Sequence, residues 1–212
     1  MIAIIDYKAG NLKSVERAVK KLGFDCLVTQ RKEEILDSQR VIFPGVGAAG
    51  KAMDDLRHLG LDRVLKEAFE TRKPILGICL GAQIILDSSK ENDARCLGLV
   101  PGSVKQFPRP FFSEENMRLK IPHMGWNGVN VRKRHPVLKG IVPADEFYFV
   151  HAYYPLPASD EYVVGTTHYG IEFPSIIGHK NLIALQFHPE KSGPAGLRIL
   201  KNFCTWDGGY AE

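Results

Sequence analysis

The sequence predicts an α/β protein with a mostly parallel central sheet flanked by helices and with additional antiparallel strands in its second half. Short apolar runs alternate with amphipathic segments over residues 2–86, which is the pattern of strands and crossover helices. Strands that alternate with helices in this way form parallel sheets covered on both faces. From about Leu99 to Gln186 the chain is instead rich in Pro, Gly, Val, Tyr and Phe, with strand-like runs.

The first half of the chain indicates four strands, each placed by an apolar run. They are predicted at 2–5, 26–28, 40–43 and 74–78. Apolar residues recur at helical spacing in three segments between them: 12–22, a segment around Met53 and Leu56, and 61–68. A further helix is expected from Leu80 to about Leu86.

The second half indicates shorter strands and one closing helix. Strands are predicted near 119–121, 147–150, 162–168, 175–177 and 182–186. The closing helix is expected from about Ala195 to Trp206, with Leu197, Leu200 and Phe203 facing inward. At 212 residues and 44% hydrophobic content, residues 1–212 are expected to form a single domain.

Composition and charge exclude several classes of function. Lys and Arg number 28 against 24 Asp and Glu, and the one dense basic cluster is Arg132–Arg134, so no nucleic-acid partner is expected. Cysteines 26, 79, 96 and 204 lack the C-x-x-C spacing of a zinc site or redox pair, so no metal or cofactor is expected either. No apolar stretch approaches membrane-spanning length, and we predict a cytoplasmic protein.

The segment Gly77-Ile78-Cys79-Leu80-Gly81 follows an apolar strand and has the form of a nucleophile elbow. A strand that stops abruptly before a helix exposes the residue at the junction, and the flanking glycines let neighbouring backbone come close. The junction also lies at a helix N-terminus, where unpaired N–H groups favour a thiolate. We therefore predict that Cys79 is a nucleophile.

Two other features also follow predicted strands. Pro44-Gly45-Val46-Gly47 follows the third strand, and Gln186-Phe187-His188-Pro189-Glu190 follows the last one. Because ligands bind at the carboxyl ends of strands in such sheets, all three features could share one site. There His188 would be the general base and Glu190 its orienting partner. The oxyanion donors would be the N–H of Leu80 and an N–H of the Gly45–Val46–Gly47 loop.

Each feature alone has a structural alternative. Cys79 could be a buried structural cysteine, and His188 a hydrogen-bonded histidine at a strand end. Gly45 and Gly47 could form an ordinary tight turn. Their combination in this order is much harder to obtain by accident.

The set Pro44–Gly47, Gly77–Gln83 and Gln186–Glu190 resembles the class I, triad-type glutamine amidotransferases. The resemblance implies a flavodoxin-like fold and a glutaminase that forms a γ-glutamyl thioester on Cys79. It implies that His188 and Glu190 complete a triad. It also implies that Gln83, His151 and Tyr153 lie near the bound glutamine.

Further stretches resemble one branch of this family, the glutaminase subunits that pass ammonia to a separate cyclase chain, a (β/α)8 barrel, in histidine biosynthesis. They are Asp6–Tyr7 with Gly10–Leu12, Gly98–Leu99 with Pro101–Gly102, Pro122–Asn127, Tyr148–His151, Gly165–Thr167 and His188–Ser192. The resemblance implies that the cyclase interface includes Asn11, Trp126, Asn127, Tyr148 and Lys191. For Trp126, a place in the core is the alternative.

The chain departs from the family pattern at Lys8, Ala82 and Ala152, none of which is a triad member.

Three other functions stay open. The chain could be the amidotransferase subunit of another synthase or a stand-alone γ-glutamyl hydrolase, although Met124–Asn127 and Lys191-Ser192 argue against both. It could also be a non-enzymatic flavodoxin-like scaffold in which Cys79 is structural or a redox sensor.

Overall fold

The computed structural model describes residues 1–8 and 10–209. In the first half, strands alternate with helices as predicted. The strands are β1 (Ile2–Ile5), β2 (Cys26–Thr29), β3 (Arg40–Gly45) and β4 (Ile75–Cys79). The helices are α1 (Leu12–Lys21), α2 (Lys32–Asp37), α3 (Ala49–His58), α4 (Leu61–Glu70) and α5 (Leu80–Ile84).

The second half consists mainly of strands and ends in a helix. The strands are β5 (Ser88–Ser89), β6 (Ala94–Arg95), β7 (Gly102–Gln106), β8 (His123–Gly128), β9 (Asn130–Val131), β10 (Glu146–His151), β11 (Tyr153–Pro157), β12 (Val163–Tyr169), β13 (Ile171–His179) and β14 (Leu182–Leu185). The closing helix α6 spans Gly193–Thr205. None of the helices in the described part of the chain has the length and apolar character needed to cross a bilayer.

The central sheet has the strand order β2-β1-β3-β4-β14-β13-β12-β9. The strands from β2 to β14 pair in parallel, and β13, β12 and β9 continue the sheet in antiparallel fashion. This confirms the predicted fold class. Because β3, β4 and β14 are neighbours and run in parallel, the three segments that follow them meet at one edge of the sheet.

Helices cover both faces of this sheet, and β1 shows how its residues divide between the two cores. Ile2 and Ile4 pack in the same cluster as α1 and α6, whereas Ala3 and Ile5 pack in the cluster that contains α3 and α4. This division follows from the alternation of side chains along a strand. Two smaller sheets, β10-β8 and β11-β7-β5-β6, lie beside the central one.

One predicted strand is wrong and several elements were missed. Residues 119–121 lie outside the strands, and β8 begins only at His123, after Pro122, which has no N–H to donate to a ladder. The sequence analysis did not predict α2, a helix of six residues in which only Ile35 is buried. It also missed β5–β9 and β11, which are short or interrupted by Gly and Pro. The predicted last strand, by contrast, matches β14 closely.

Candidate active site

Cys79 lies at the sharp junction between β4 and α5. Its backbone has φ 53° and ψ −107°, a conformation that few non-glycine residues adopt. A Cβ atom on Gly81 would lie 2.1 Å from the carbonyl oxygen of Phe43, and one on Gly77 would lie 3.1 Å from the Cβ of Ala184. The flanking glycines therefore allow the close packing that the predicted elbow requires.

His188 and Glu190 form a buried pair just after β14. Their side chains are 1% and 0% exposed, and His188 Nδ1 lies 2.8 Å from Glu190 Oε1. Because a carboxylate only accepts hydrogen bonds, Nδ1 carries the proton of this bond. The side-chain amide of Asn11 donates a second hydrogen bond to the same carboxylate oxygen. Asn11 was predicted at the partner interface, and the structure places it against this pair.

The surroundings of His188 favour its charged form. Burial lowers the pKa of its imidazole, but the adjacent Cys79 and Glu190 side chains outweigh burial and raise the pKa to about 10. His188 is therefore an imidazolium at neutral pH, with Nδ1 held by Glu190 and Nε2 available to exchange a proton.

A cavity of about 330 Å³ opens beside the elbow. Its wall contains the predicted nucleophile, three of the four predicted oxyanion residues and all three predicted substrate residues. The lining residues are Val46, Gly47, Cys79, Leu80, Gln83, Glu91, Pro122, Val150, His151, Ala152 and Tyr153. Gly45 lies at the end of β3, paired with Cys79, and His188 and Glu190 are buried outside this lining.

Gln83 and Gln186 form a polar link to the nucleophile. The amide nitrogen of Gln83 donates to the Tyr153 carbonyl at 2.8 Å and to Gln186 Oε1 at 2.9 Å. The amide nitrogen of Gln186 in turn lies 3.8 Å from Cys79 Sγ. Among the described residues both hydrogen bonds of Gln83 use nitrogen, so its oxygen is the atom that a ligand could use. The sequence analysis placed Gln186 near the site and gave it no role.

Glu91 is a cavity residue that the sequence analysis missed. It brings the only carboxylate found among the residues that line the cavity, and its Oε2 accepts the backbone N–H of Ala49 at 2.8 Å. That hydrogen bond anchors the carboxylate at the start of α3. Glu91 belongs to no local sequence motif. It lies in a short 3-10 turn, Glu91–Asp93, which places it at the cavity.

His151 is a buried polar residue of the cavity wall. Its Nδ1 lies 2.8 Å from the Tyr153 carbonyl, and its Nε2 lies 3.1 Å from Nδ1 of His123. Burial, with a smaller contribution from His123, lowers the pKa of His151 to about 3, so the ring is neutral. Both ring nitrogens are thus committed to partners inside the protein.

The predicted interface residues separate into an exposed group and an inward group. Trp126 is 54% exposed, so the alternative that it is a core aromatic is wrong. It lies opposite Tyr148 in the β8–β10 pair, with ring centroids 6.1 Å apart, and Lys191 is also exposed. Asn127 lies on the other face of β8, where its amide nitrogen contacts His123.

Ser192 connects β10 to the segment that carries His188. Its hydroxyl accepts the Tyr148 N–H at 2.9 Å and donates to the His188 carbonyl at 2.6 Å. The His188 N–H donates to the Tyr148 carbonyl at 2.9 Å. The partly buried Tyr148, which lies opposite the exposed Trp126, is therefore hydrogen-bonded through its backbone to His188 and Ser192.

A larger surface concavity of about 1210 Å³ lies next to β8, and its lining includes Arg109, Arg118, Lys120 and Met124. It shares Pro122 with the cavity at Cys79. Its lining contains no cysteine, histidine or carboxylate. The chemistry predicted from the sequence therefore belongs to the smaller cavity.

Comparison with known families and proteins supports the same assignment. Residues 3–206 match the model of the family described as glutamine amidotransferase class-I. The chain is 52% identical over 208 residues to the imidazole glycerol phosphate synthase subunit HisH of Nitratidesulfovibrio vulgaris strain DP4, covering 97% of each chain. It is 46% identical over 204 residues to the protein of the same name from Dehalococcoides mccartyi strain CBDB1, covering 96% of each.

Solved structures share the fold at much lower identity. A crystal structure of a glutamine amidotransferase superposes with a TM-score of 0.72 at 17% identity, over 96% of this chain and 99% of the other. A structure of PurLQS from Thermotoga maritima gives a TM-score of 0.69 at 18% identity, over 95% of this chain and 96% of the other. At these identities the superpositions show the fold alone.

Proposed function

The chain belongs to the glutamine amidotransferase class-I family, and on this premise we propose that it is the glutaminase subunit of an imidazole glycerol phosphate synthase. In this role it hydrolyses glutamine to glutamate and ammonia. The ammonia passes to a cyclase subunit, a (β/α)8 barrel, which forms imidazole glycerol phosphate and an aminoimidazole carboxamide ribotide in histidine biosynthesis. The observation that supports the proposal best is the meeting of the Cys79 elbow with the His188–Glu190 pair at adjacent strand ends.

The first step is the attack of the Cys79 thiolate on the side-chain carboxamide carbon of glutamine. A C–S bond forms, and the carbonyl π electrons move to oxygen. The N–H of Leu80, which begins α5 without an intrahelical partner, and the N–H groups of Gly45, Val46 and Gly47 are the proposed donors to this oxyanion.

In the second step, His188 acts as a general acid. Its Nε2 proton moves to the amide nitrogen, the C–N bond breaks, and ammonia leaves while the γ-glutamyl thioester remains on Cys79. Glu190 keeps the imidazole oriented and stabilises its charged form before the transfer.

In the third step, the neutral His188 acts as a general base. It takes a proton from water, the hydroxide oxygen attacks the thioester carbon, and the C–S bond breaks to release glutamate. The thiolate and the imidazolium are then restored. One glutamine and one water thus give one glutamate and one ammonia.

The remaining cavity residues suit the α-ammonium group and the side-chain amide of free glutamine. Glu91 supplies a carboxylate for the α-ammonium group, and the Gln83 side-chain oxygen is available as an acceptor. A cavity of about 330 Å³ is at the small end of the range for ligand sites, in keeping with a single amino acid. Tyr153 and His151 also line the cavity.

The proposed docking face for the cyclase contains Trp126, Tyr148 and Lys191. Met124, two residues before Trp126 on the same face of β8, is 62% exposed. Two large exposed apolar side chains on one strand face suit a protein interface, where aromatic residues and methionine are enriched. Ammonia released at Cys79 would leave toward this face.

The proposal is tested by mixing the chain with a cyclase and its nucleotide ligand and measuring glutamate release from glutamine. We expect low turnover by the chain alone and strong stimulation by the ligand-loaded cyclase. Cys79→Ser should abolish glutamate release and leave cyclase binding intact.

Full activity without cyclase or ligand would reject the coupling between the subunits. Inactivity with any synthase partner would favour the scaffold alternative. Retention of activity by Cys79→Ser would show that another group is the nucleophile.

A further inference from the structure

A chain of buried and partly buried hydrogen bonds runs from the cavity wall to β8. His151 Nδ1 lies 2.8 Å from the Tyr153 carbonyl, and His151 Nε2 lies 3.1 Å from His123 Nδ1. His123 Nε2 then lies 3.3 Å from Nδ2 of Asn127. His123 is 3% exposed and His151 is 5% exposed, so solvent has little access to either ring.

The carbonyl at the inner end fixes the proton positions in both rings. A carbonyl only accepts, so His151 Nδ1 carries hydrogen and, in the neutral ring, His151 Nε2 must accept. His123 Nδ1 is then the donor to His151, which leaves His123 Nε2 as the acceptor of the Asn127 amide.

The outer end fixes the same order independently. Asn127 Nδ2 also donates to the His168 carbonyl at 2.9 Å, and Asn127 Oδ1 accepts the N–H of Gly128 at 2.8 Å. Both contacts require that the Asn127 side chain presents its amide nitrogen, and not its oxygen, to His123. Two sets of backbone groups at opposite ends of the chain therefore select one direction of donation.

Aromatic rings hold His123 in place. Its ring stacks on Tyr169 with centroids 4.0 Å apart and on Phe149 with centroids 4.8 Å apart. The hydroxyl of Tyr169 donates to the Lys120 carbonyl at 2.7 Å, which fixes that side of the stack. With water excluded, a donor lost from this chain would leave a buried acceptor unsatisfied.

The inner end of the chain is part of the wall that faces Cys79. The carbonyl of Val150, the residue before His151, lies 4.0 Å from Cys79 Sγ. The Tyr153 carbonyl that accepts from His151 also accepts from Gln83, whose partner Gln186 contacts the same sulfur. A shift of His151 would therefore move the part of the cavity wall that lies beside Cys79.

We propose that His123 is a positioning residue for glutamine hydrolysis: its Nδ1–H holds His151 in a single tautomer and thereby fixes the Val150–Tyr153 wall opposite Cys79. This inference rests on the proposed glutaminase function and adds to it a residue outside the cavity lining. Asn127 supports this arrangement by donating a hydrogen bond to His123 Nε2.

The kinetic test compares His123→Phe with His123→Asn in the complex with ligand-loaded cyclase. Phe preserves the stacking and removes the donor, whereas the Asn amide can present an N–H near the place of Nδ1. Misplacement of catalytic groups lowers the reaction rate by up to about 100-fold. We therefore expect kcat/KM to fall about 10- to 100-fold in His123→Phe. His123→Asn should recover most of this loss.

The matched control is His135→Phe, which also replaces a buried imidazole by a phenyl ring, away from the cavity lining. It should keep kcat/KM close to that of the unaltered chain even if it lowers stability. An equal fall in His135→Phe, unaltered kinetics in His123→Phe, or no recovery in His123→Asn would overturn the proposal.

A spectroscopic test on the unaltered chain needs neither a variant nor activity. Two-dimensional ¹H–¹⁵N spectra of the imidazole nitrogens should show hydrogen on Nδ1 of both His123 and His151. Hydrogen on Nε2 of either ring would overturn the proposal even if glutaminase activity is present. Absence of glutaminase activity with Nδ1–H on both rings would instead count against the proposed function and leave the hydrogen-bond order standing.

Discussion

At the scale of single residues, Cys79 is held in a backbone conformation that its surroundings enforce. A non-glycine residue at such positive φ costs about 1–3 kcal/mol, and such strain persists only where neighbouring packing compensates for it. Here the parallel pairing of Gly45 with Cys79 and the contact of Gly81 with the Phe43 backbone supply that packing. The result is a sulfur atom that lies in the cavity wall and close to the imidazole of His188.

Glu190→Gln tests the contribution of the carboxylate to the triad. The substitution keeps the volume and a possible acceptor for His188 Nδ1 but removes the charge that helps to raise the pKa of His188. General acid–base catalysis typically raises the reaction rate by about 10²–10⁴-fold, and we expect kcat to fall by a factor in that range. The measurement is glutamate release by the cyclase complex over a series of pH values.

The matched control for this substitution is Glu172→Gln. Glu172 is an exposed carboxylate that pairs with Arg132 on the surface, so its loss should leave kcat near the unaltered value. If Glu190→Gln behaved like Glu172→Gln, Glu190 would not be the orienting group.

At the scale of elements, the β3–α5 contact positions the elbow and can be tested at Gly81. A Cβ atom there would lie 2.1 Å from a backbone oxygen, so Gly81→Ala must displace α5 from β3. Overpacking typically costs about 1–3 kcal/mol, and we expect a loss of this size in the free energy of unfolding. Urea unfolding measures this loss. Glutaminase activity should also fall, because the displacement of α5 moves the elbow at Cys79.

Gly128→Ala provides the comparison for Gly81. No atom of the described structure lies within 4 Å of a Cβ built on Gly128, and its φ is not in the left-handed region. Its unfolding midpoint should stay close to that of the unaltered chain. Equal effects of the two substitutions would contradict the role given to the close contact at Gly81.

The exposed face of β8 leads to a prediction about the partner. Trp126 is 54% exposed, so Trp126→Ala should have little effect on the stability of the isolated chain. Aromatic residues at the centre of an interface often contribute 2 kcal/mol or more, and we expect the Kd for the cyclase to rise by about 30-fold. Titration calorimetry measures the affinity.

Leu156→Ala is the matched control, because Leu156 is a 41% exposed apolar residue of β11. It should leave the Kd for the cyclase unchanged. A Kd that responds to Leu156→Ala and not to Trp126→Ala would place the docking face elsewhere.

At the scale of the whole molecule, buried histidines set the response of stability to acid. Burial lowers the pKa of His123 and of His135 to about 4, and it lowers the pKa of His151 to about 3. In the unfolded chain a histidine titrates near pH 6.5, so acid protonates the unfolded state first. The free energy of unfolding should therefore fall as the pH drops from about 6.5 toward 3–4.

His188 gives the opposite response at alkaline pH. Its pKa rises to about 10 in the folded protein, so its stabilising contribution is complete below pH 6.5 and is lost as the pH rises toward 10. Urea unfolding at a series of pH values should show stability falling on both sides of a maximum near pH 6.5. A His188→Gln variant that kept the full alkaline decline would contradict this account.

Local patterns were sufficient for much of the fold and for the members of the triad. The run before Cys79 and the apolar segments of β1, β3 and β14 carry their own strand signals, and chain order alone indicates a parallel sheet. Patterns failed at 119–121, where apolar residues lie outside the sheet, and at α2, where a single buried residue gives no periodicity. Glu91 was missed as a cavity residue, and Asn11 was predicted at the partner interface and not beside Glu190, because each is placed by a long-range contact.

The amino-acid order by itself determined the class of fold, the elbow at Cys79 and the pairing of His188 with Glu190, since these depend on neighbours within a few positions. Only the tertiary structure decided that Asn11 binds the Glu190 carboxylate, that Glu91 lines the cavity and that Asn127 turns inward while Trp126 turns outward. The reason is physical. Hydrogen bonds between residues distant in sequence depend on which strands become neighbours and on their register, and no short stretch of sequence contains that information.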